Sequence, residues 1–200
     1  MRNKITLSLS FTSFILSFSA ISSQPPALVS HYDDESHSVA LSHKTTKEIA
    51  PQIILQGHKY QFEKNTLSDI QHELGGIIHH TPRTEWICFY SRGERQTWWF
   101  LSNKEMHHGD LSGIAISQSR SSQYCTDTDK PLSVIYSVPG PGAQRQTVLR
   151  YFDIPSDADG NISFYHEHAL NKEVTQLNGL QYYFTGDKVT EILFSQVTTM

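Results

Sequence analysis

The chain has 200 residues, of which 38% are hydrophobic and 18% charged, enough apolar side chain for one or two small domains with a buried core. This composition excludes a collagen, a coiled coil and a wholly disordered chain. Sixteen Lys and Arg stand against 20 Asp and Glu, a formal charge of -4, which argues against nucleic acid as a partner.

Residues 1–22 have the pattern of a secretory signal peptide. Arg2 and Lys4 precede an apolar run over residues 5–18, and the small residues Ala20 and Ser22 follow. We predict cleavage after Ser22 and a soluble product, periplasmic or secreted, with no integral membrane segment. Without Arg2 and Lys4 the charge count is 14 against 20, or -6. The alternative is an uncleaved membrane anchor, although the run is shorter than a spanning helix needs.

Residues 23–51 are rich in Ser, His, Pro and charge, with no sustained apolar period. We interpret this segment as a flexible tether. Order is expected to begin with residues 53–62, which read as a strand or hairpin arm.

The chain has two cysteines, Cys88 and Cys125. In an oxidising compartment they are expected to form a disulfide, which would close a loop of 37 residues. A catalytic thiol is the alternative, but Cys88 lies in an apolar run where a thiolate would be poorly stabilised.

An internal repeat at an offset of 78 residues is the main organisational signal. Trp86 corresponds to Phe164, and the sequence IAISQ at 114–118 corresponds to ILFSQ at 192–196. Near the start of the unit, Ile70 and Leu74 correspond to Val148 and Phe152. Chance matching of apolar residues is the alternative.

The repeat divides the ordered chain into two units, residues 52–125 and 126–200. In the first, Asn65 or Thr66 caps a helix that ends near residue 74, and strands follow at 86–90, 98–101 and 114–117. In the second, a helix near 144–152 precedes strands at 162–168, 180–184 and 189–197, with a hairpin turn at 185–188. The predicted class is α+β: two tandem units, each a short helical segment followed by an antiparallel sheet of three to four strands.

These motifs resemble a known family. A helix that ends in Leu74-Gly75 and the final hairpin YYFTGDKVTEILFSQ are similar to the repeat of beta-lactamase inhibitor proteins and of the small outer-membrane barrel-assembly lipoproteins. The second copy departs from it at Phe152-Asp153, and the chain has no lipid-attachment Cys near the predicted cleavage site. The resemblance implies a concave sheet that binds another protein, with no catalytic residue and no cofactor.

Sequence-visible catalytic motifs such as G-x-S-x-G, H-E-x-x-H, a Walker loop or C-x-x-C do not occur, so we do not expect an enzyme. The alternative is a hydrolase whose Ser, Asp and His come together from distant positions. The chain is nevertheless rich in histidine, with 11 residues. His166 and His168 would share one strand face and, with His107 and His108, form a weak candidate for a zinc or copper site. Solvated histidines, or a surface that gains charge below about pH 6.5, are the alternatives.

Aromatic residues are concentrated in the predicted strands. Because neighbours in a strand point to opposite faces, some should line a face that the helices leave uncovered. The alternative for each is a place in the core. The candidate partner-binding residues are Tyr90, Trp98, Trp99, Tyr165, Tyr182 and Tyr183.

From these features we expect an exported, non-enzymatic protein that binds another protein on its aromatic strands. An inhibitor, or an immunity-type neutraliser of a toxic effector or hydrolase, fits this expectation. The acidic surface favours a soluble, basic enzyme or toxin as the partner. The alternatives are an accessory protein of outer-membrane assembly and a His-rich periplasmic metal-binding protein.

Overall fold

The structure is a computed structural model that describes Val29, Tyr32 and residues 42–105, 108–118, 124–155 and 160–199. The predicted signal peptide lies outside these residues. The elements in chain order are β1 (Ser42–Lys44), β2 (Gln52–Leu55), β3 (His58–Tyr60), α1 (Leu67–Leu74), β4 (His79–His80), β5 (Thr84–Ser91), β6 (Gln96–Asn103), β7 (Gly113–Ser117), β8 (Thr126–Thr128), β9 (Leu132–Ile135), α2 (Arg145–Tyr151), β10 (Ile162–Ala169), β11 (Thr175–Thr185) and β12 (Lys188–Thr199).

Both predicted helices form. Thr66 caps α1 through a capping box, in which its side chain accepts from the Asp69 amide and the Asp69 carboxylate accepts from the Thr66 amide. Leu67, Ile70 and Leu74 are the buried residues of this helix. In α2 the N-cap residue Gln144 makes no side-chain capping bond.

The predicted hairpin at 185–188 forms, and the segment predicted as a strand or hairpin arm forms another. Between β2 and β3 the turn residues Gln56 and Gly57 have φ of 48° and 87°, the pair of positive values that a type I′ turn requires. Between β11 and β12 the turn begins at Gly186, whose φ is 58°. These tight turns pin the strand registers on either side.

Nine strands form one large sheet. Its order is β1-β10-β11-β12-β7-β6-β5-β4, and β8 also pairs with β5. The neighbours are antiparallel except for β1 with β10 and β5 with β8, which are parallel. At the centre, β12 pairs with β7 so that Leu193 faces Ala115 and Ile192 faces Ile116. A second sheet has the order β3-β2-β9.

One face of the large sheet, called here the inner face, carries the main core. Ile87, Trp98, Ile116, Phe164 and Tyr182 point to this face from five different strands. The second sheet and both helices cover it, through Ile53, Leu132 and residues of α1 and α2. The core is therefore continuous from β5 to β10.

The predicted α+β class is wrong. The protein is mostly β: about half of its residues are in strands, and the helices α1 and α2 are short and lie beside a large mixed sheet. The helices of eight and seven residues are too short to cover a nine-stranded sheet. A second sheet completes the layer on the inner face, and the strands assigned to two separate sheets join through the β7–β12 pair.

Parts of the predicted tether belong to the fold. Ser42–Lys44 forms β1 beside β10, and Ile49 is buried in the main core. Val29 and Tyr32 are helical and pack on the opposite, outer face of the large sheet. No helix in the described ranges is both long and apolar enough to cross a membrane.

The predicted disulfide between Cys88 and Cys125 is confirmed. It joins β5 to the segment that enters β8, which itself pairs with β5. The link therefore holds the chain against the edge of the large sheet.

Candidate functional site

The residues that the structure describes cover the outer face of the large sheet over only part of its width. Around β5, β6 and β7, a second apolar cluster of Trp86, Trp99, Leu101 and Ala115 is buried beneath Val29. The Tyr32 hydroxyl lies 2.7 Å from the Ser112 hydroxyl, which ties the covering segment to the start of β7. Sequence alternation could not reveal this cover, because it comes from residues that precede the first strand.

The six candidate aromatic residues differ in the face on which they lie and in how far they are buried. Trp98 and Tyr182 are on the inner face in the main core, and Trp99 and Tyr183 are in the outer cluster. All four are at most 9% exposed, so they offer almost no surface to a partner. Tyr90 and Tyr165 are half-buried.

Burial also fixes the chemistry of the two paired tyrosines. Loss of water around their phenols raises the pKa of Tyr182 and of Tyr183 above the ordinary value. The Tyr183 hydroxyl donates to Gln181 Oε1 at 2.6 Å. Both side chains are therefore neutral parts of the packing.

The other part of the outer face, over β10, β11 and β12, holds an open groove of about 380 Å³. Its base is made of small residues from adjacent strands, Ser163, Gly179 and Ser195. A Cβ atom at Gly179 would lie 2.5 Å from Ser195 Oγ. The groove therefore depends on the absence of a side chain at the centre of β11.

Larger side chains border the groove. Tyr165, Leu177 and Gln181 line it and are half-buried. At the sheet edge, Lys44 of β1 donates to Glu167 of β10, and this bond raises the pKa of the lysine. We call this region, from Ser42 and Lys44 of β1 to Ser195 of β12, the open groove. Sequence reasoning found Tyr165 but missed Leu177 and Gly179, because neither residue type marks a site by itself.

The histidines proposed as metal ligands are not brought together. His166 Nδ1 is buried without a hydrogen bond and lies 3.9 Å from a Glu48 oxygen, too far for one. His168 lies on an exposed part of β10, His108 is in the loop before β7, and His107 is outside the described residues. Across the ranges that the structure describes, no three His, Cys, Asp or Glu side chains have the geometry to hold a metal ion.

One histidine cluster does form, around a carboxylate. Glu85 Oε1 lies 3.0 Å from His80 Nδ1 and 3.1 Å from His108 Nε2, and the Glu85 side chain is only 7% exposed. The cluster borders a cavity of about 620 Å³ at the start of α1. Such an arrangement fixes the orientation of two imidazoles. The doublets His79-His80 and His107-His108 were its only sequence signal.

No family model, no curated protein and no solved structure matches this chain.

Proposed function

We propose that the protein is an exported, non-enzymatic protein-binding protein that neutralises a soluble enzyme or toxin by occluding its surface. The observation that carries this proposal is the open groove, where the described residues leave one half of a long sheet face uncovered while the other half is buried. The groove can receive a side chain or a loop of a partner over Gly179 and Ser195.

The borders of the groove suit a protein partner. Tyr165 and Leu177 supply apolar area, and Gln181 can both donate and accept hydrogen bonds. In protein interfaces, a few residues around a central pocket carry most of the binding energy. A standard interface buries about 800 Å² on each partner, so contacts would extend from the groove along β10, β11 and β12.

Charge favours a basic partner. The chain has 20 acidic against 16 basic residues, and the one lysine at the groove, Lys44, is paired with Glu167. A partner with a basic surface would associate faster with this acidic protein, and more so at low salt.

The disulfide supports export, because disulfides persist in the periplasm and outside the cell and are rare in the cytosol. The internal repeat and the resemblance to inhibitor proteins stay predictions.

The test begins with capture from periplasmic and secreted fractions on the purified chain, followed by affinity measurements with the purified partner. Leu177→Ala and Tyr165→Ala should each weaken binding about tenfold or more. Ile135→Ala removes an equally apolar side chain that is 52% exposed on β9 of the second sheet, and it should leave affinity unchanged.

Gly179→Leu provides a second measurement, because its side chain would fill the groove from the base. It should abolish binding while the thermal midpoint shows an intact fold. Full affinity in the folded Gly179→Leu variant, or partners recovered only from membrane fractions, would reject the proposal.

A further inference from the structure

A polar slot lies on the inner side of the large sheet, on the opposite face from the open groove. It is enclosed by the β2–β3 hairpin and by the ends of β11 and β12, and its volume is about 380 Å³. Buried Ile53 and Phe62 form its apolar part. Six polar side chains line it: Gln52, Lys59, Gln61, Lys64, Gln176 and Gln196.

Two lysines border the slot. Lys59 and Lys64 are exposed, and neither ammonium group forms an ion pair with an acidic residue in the described part of the chain. The neighbouring carboxylate, Glu63, accepts hydrogen bonds from other groups. It accepts from the Thr198 amide at 2.7 Å, the Thr198 hydroxyl at 2.6 Å and Gln196 Nε2 at 3.0 Å.

Four glutamines add groups that can both donate and accept. The bond from Gln196 Nε2 to Glu63 fixes the orientation of that amide, which leaves its oxygen as an acceptor. A hydroxyl group also donates and accepts, so a hydroxyl-rich ligand can pair with several primary amides. The two lysines favour a ligand that also carries an anionic group.

We propose that this slot binds an acidic saccharide, a hydroxyl-rich ligand with a carboxylate. Its volume lies within the range of small-molecule sites, about 300 to 1,000 Å³. The carboxylate would lie between Lys59 and Lys64, and the ring hydroxyls would contact Gln176, Gln196 and the glutamines of the hairpin. The inference does not depend on the proposed protein partner, because the open groove is on the other face of the sheet.

The test is calorimetric titration of the full chain with three probes: galacturonic acid, its linear trimer and neutral galactose. The acidic probes should bind and galactose should not. Tighter binding of the trimer would identify an acidic glycan as the natural ligand. Equal binding of the trimer and the single sugar would identify a free sugar acid. Lys59→Gln and Lys64→Gln should each weaken binding about tenfold, the loss of one charge-assisted hydrogen bond.

Lys188→Gln is the matched control, with the same loss of charge on an exposed lysine. Lys188 lies eight residues from Gln196 along β12, roughly 26 Å away. The Lys188→Gln variant should therefore bind the acidic probes as the natural protein does. Gln176→Leu tests the amides separately. It should weaken binding of the acidic saccharide although both lysines of the slot are still present. Unfolding midpoints would show that each variant is folded. Absence of binding, equal weakening by Lys188→Gln, or equally strong competition by sulfate would overturn the inference.

Discussion

His79 of β4 is partly buried against aromatic side chains. Its ring stacks on Trp86 with centroids 4.2 Å apart, and its Nε2 lies 3.2 Å from the Tyr124 carbonyl oxygen, to which it can donate. Partial burial lowers the pKa of His79 below the ordinary value of 6.5, against the opposing effect of the Tyr124 hydrogen bond. The folded protein therefore favours the neutral imidazole.

This shift makes stability depend on pH in a definite direction. In the unfolded chain His79 takes up a proton near pH 6.5, whereas the folded chain takes it up only at lower pH. The unfolded state thus binds more protons as the pH falls through 6.5, and stability decreases. We expect the thermal midpoint of the natural protein to fall more steeply between pH 8 and pH 5 than that of His79→Phe, which keeps a stacked ring.

The readout is the difference in slope, since Phe also loses the hydrogen bond to Tyr124 and should be less stable at every pH. His72→Gln replaces an exposed histidine on α1 and should keep the natural slope. Identical slopes for the natural protein and His79→Phe would show that burial does not shift this imidazole.

The two helices form a matched pair at the scale of elements. Thr66 makes both bonds of a capping box, whereas Gln144 makes no side-chain bond at the start of α2. Thr66→Ala should lower the free energy of unfolding by about 1 kcal/mol, since the first turn of α1 loses a side-chain acceptor. Gln144→Ala should change it by less than about 0.5 kcal/mol. Urea unfolding measures both, and equal losses would mean that capping is not the cause.

Sequence patterns predicted these elements well because their determinants are local. The cap at Thr66, the hairpin at Gly186 and the aromatic runs of β5 and β6 each depend on residues that are close together in the sequence. Burial is not local. Trp98 and Trp99 point to opposite faces, and alternation cannot say that both faces are covered, since the outer cover includes Val29, which is 70 residues away in the chain.

The candidate site was predictable only in part for the same reason. Tyr165 was identified as an aromatic residue in a strand. The groove beside it, however, is formed by small residues, which a search for aromatic residues does not find. Gly179 and Ser195 meet only through the β11–β12 register, and the slot near Lys59 and Gln196 needs the second sheet to be placed against the first. Pairings of this kind between distant segments produce no recognisable pattern in the sequence.

At the scale of the whole molecule, the continuous core argues against two units that fold separately. The β7–β12 pair joins the sheet across the predicted boundary at residue 125, and β8 and β9, which follow that boundary, pair with β5 and β2. All three tryptophans, Trp86, Trp98 and Trp99, lie in β5 and β6. Tryptophan fluorescence therefore reports on the half of the molecule that precedes the boundary.

Phe164 of β10 lies in the other half and stacks on Phe152 with ring centroids 3.7 Å apart. Phe164→Ala would leave a cavity in the main core and should lower the free energy of unfolding by about 3 to 5 kcal/mol. If the core unfolds as one unit, the tryptophan fluorescence midpoint in urea must shift by the same amount as the midpoint from far-ultraviolet circular dichroism. Phe89→Ala, on β5, should shift both signals together as well. A tryptophan transition that Phe164→Ala leaves in place, beside an earlier transition in circular dichroism, would instead establish two independent folding units, because a cavity destabilises only the residues that unfold with it.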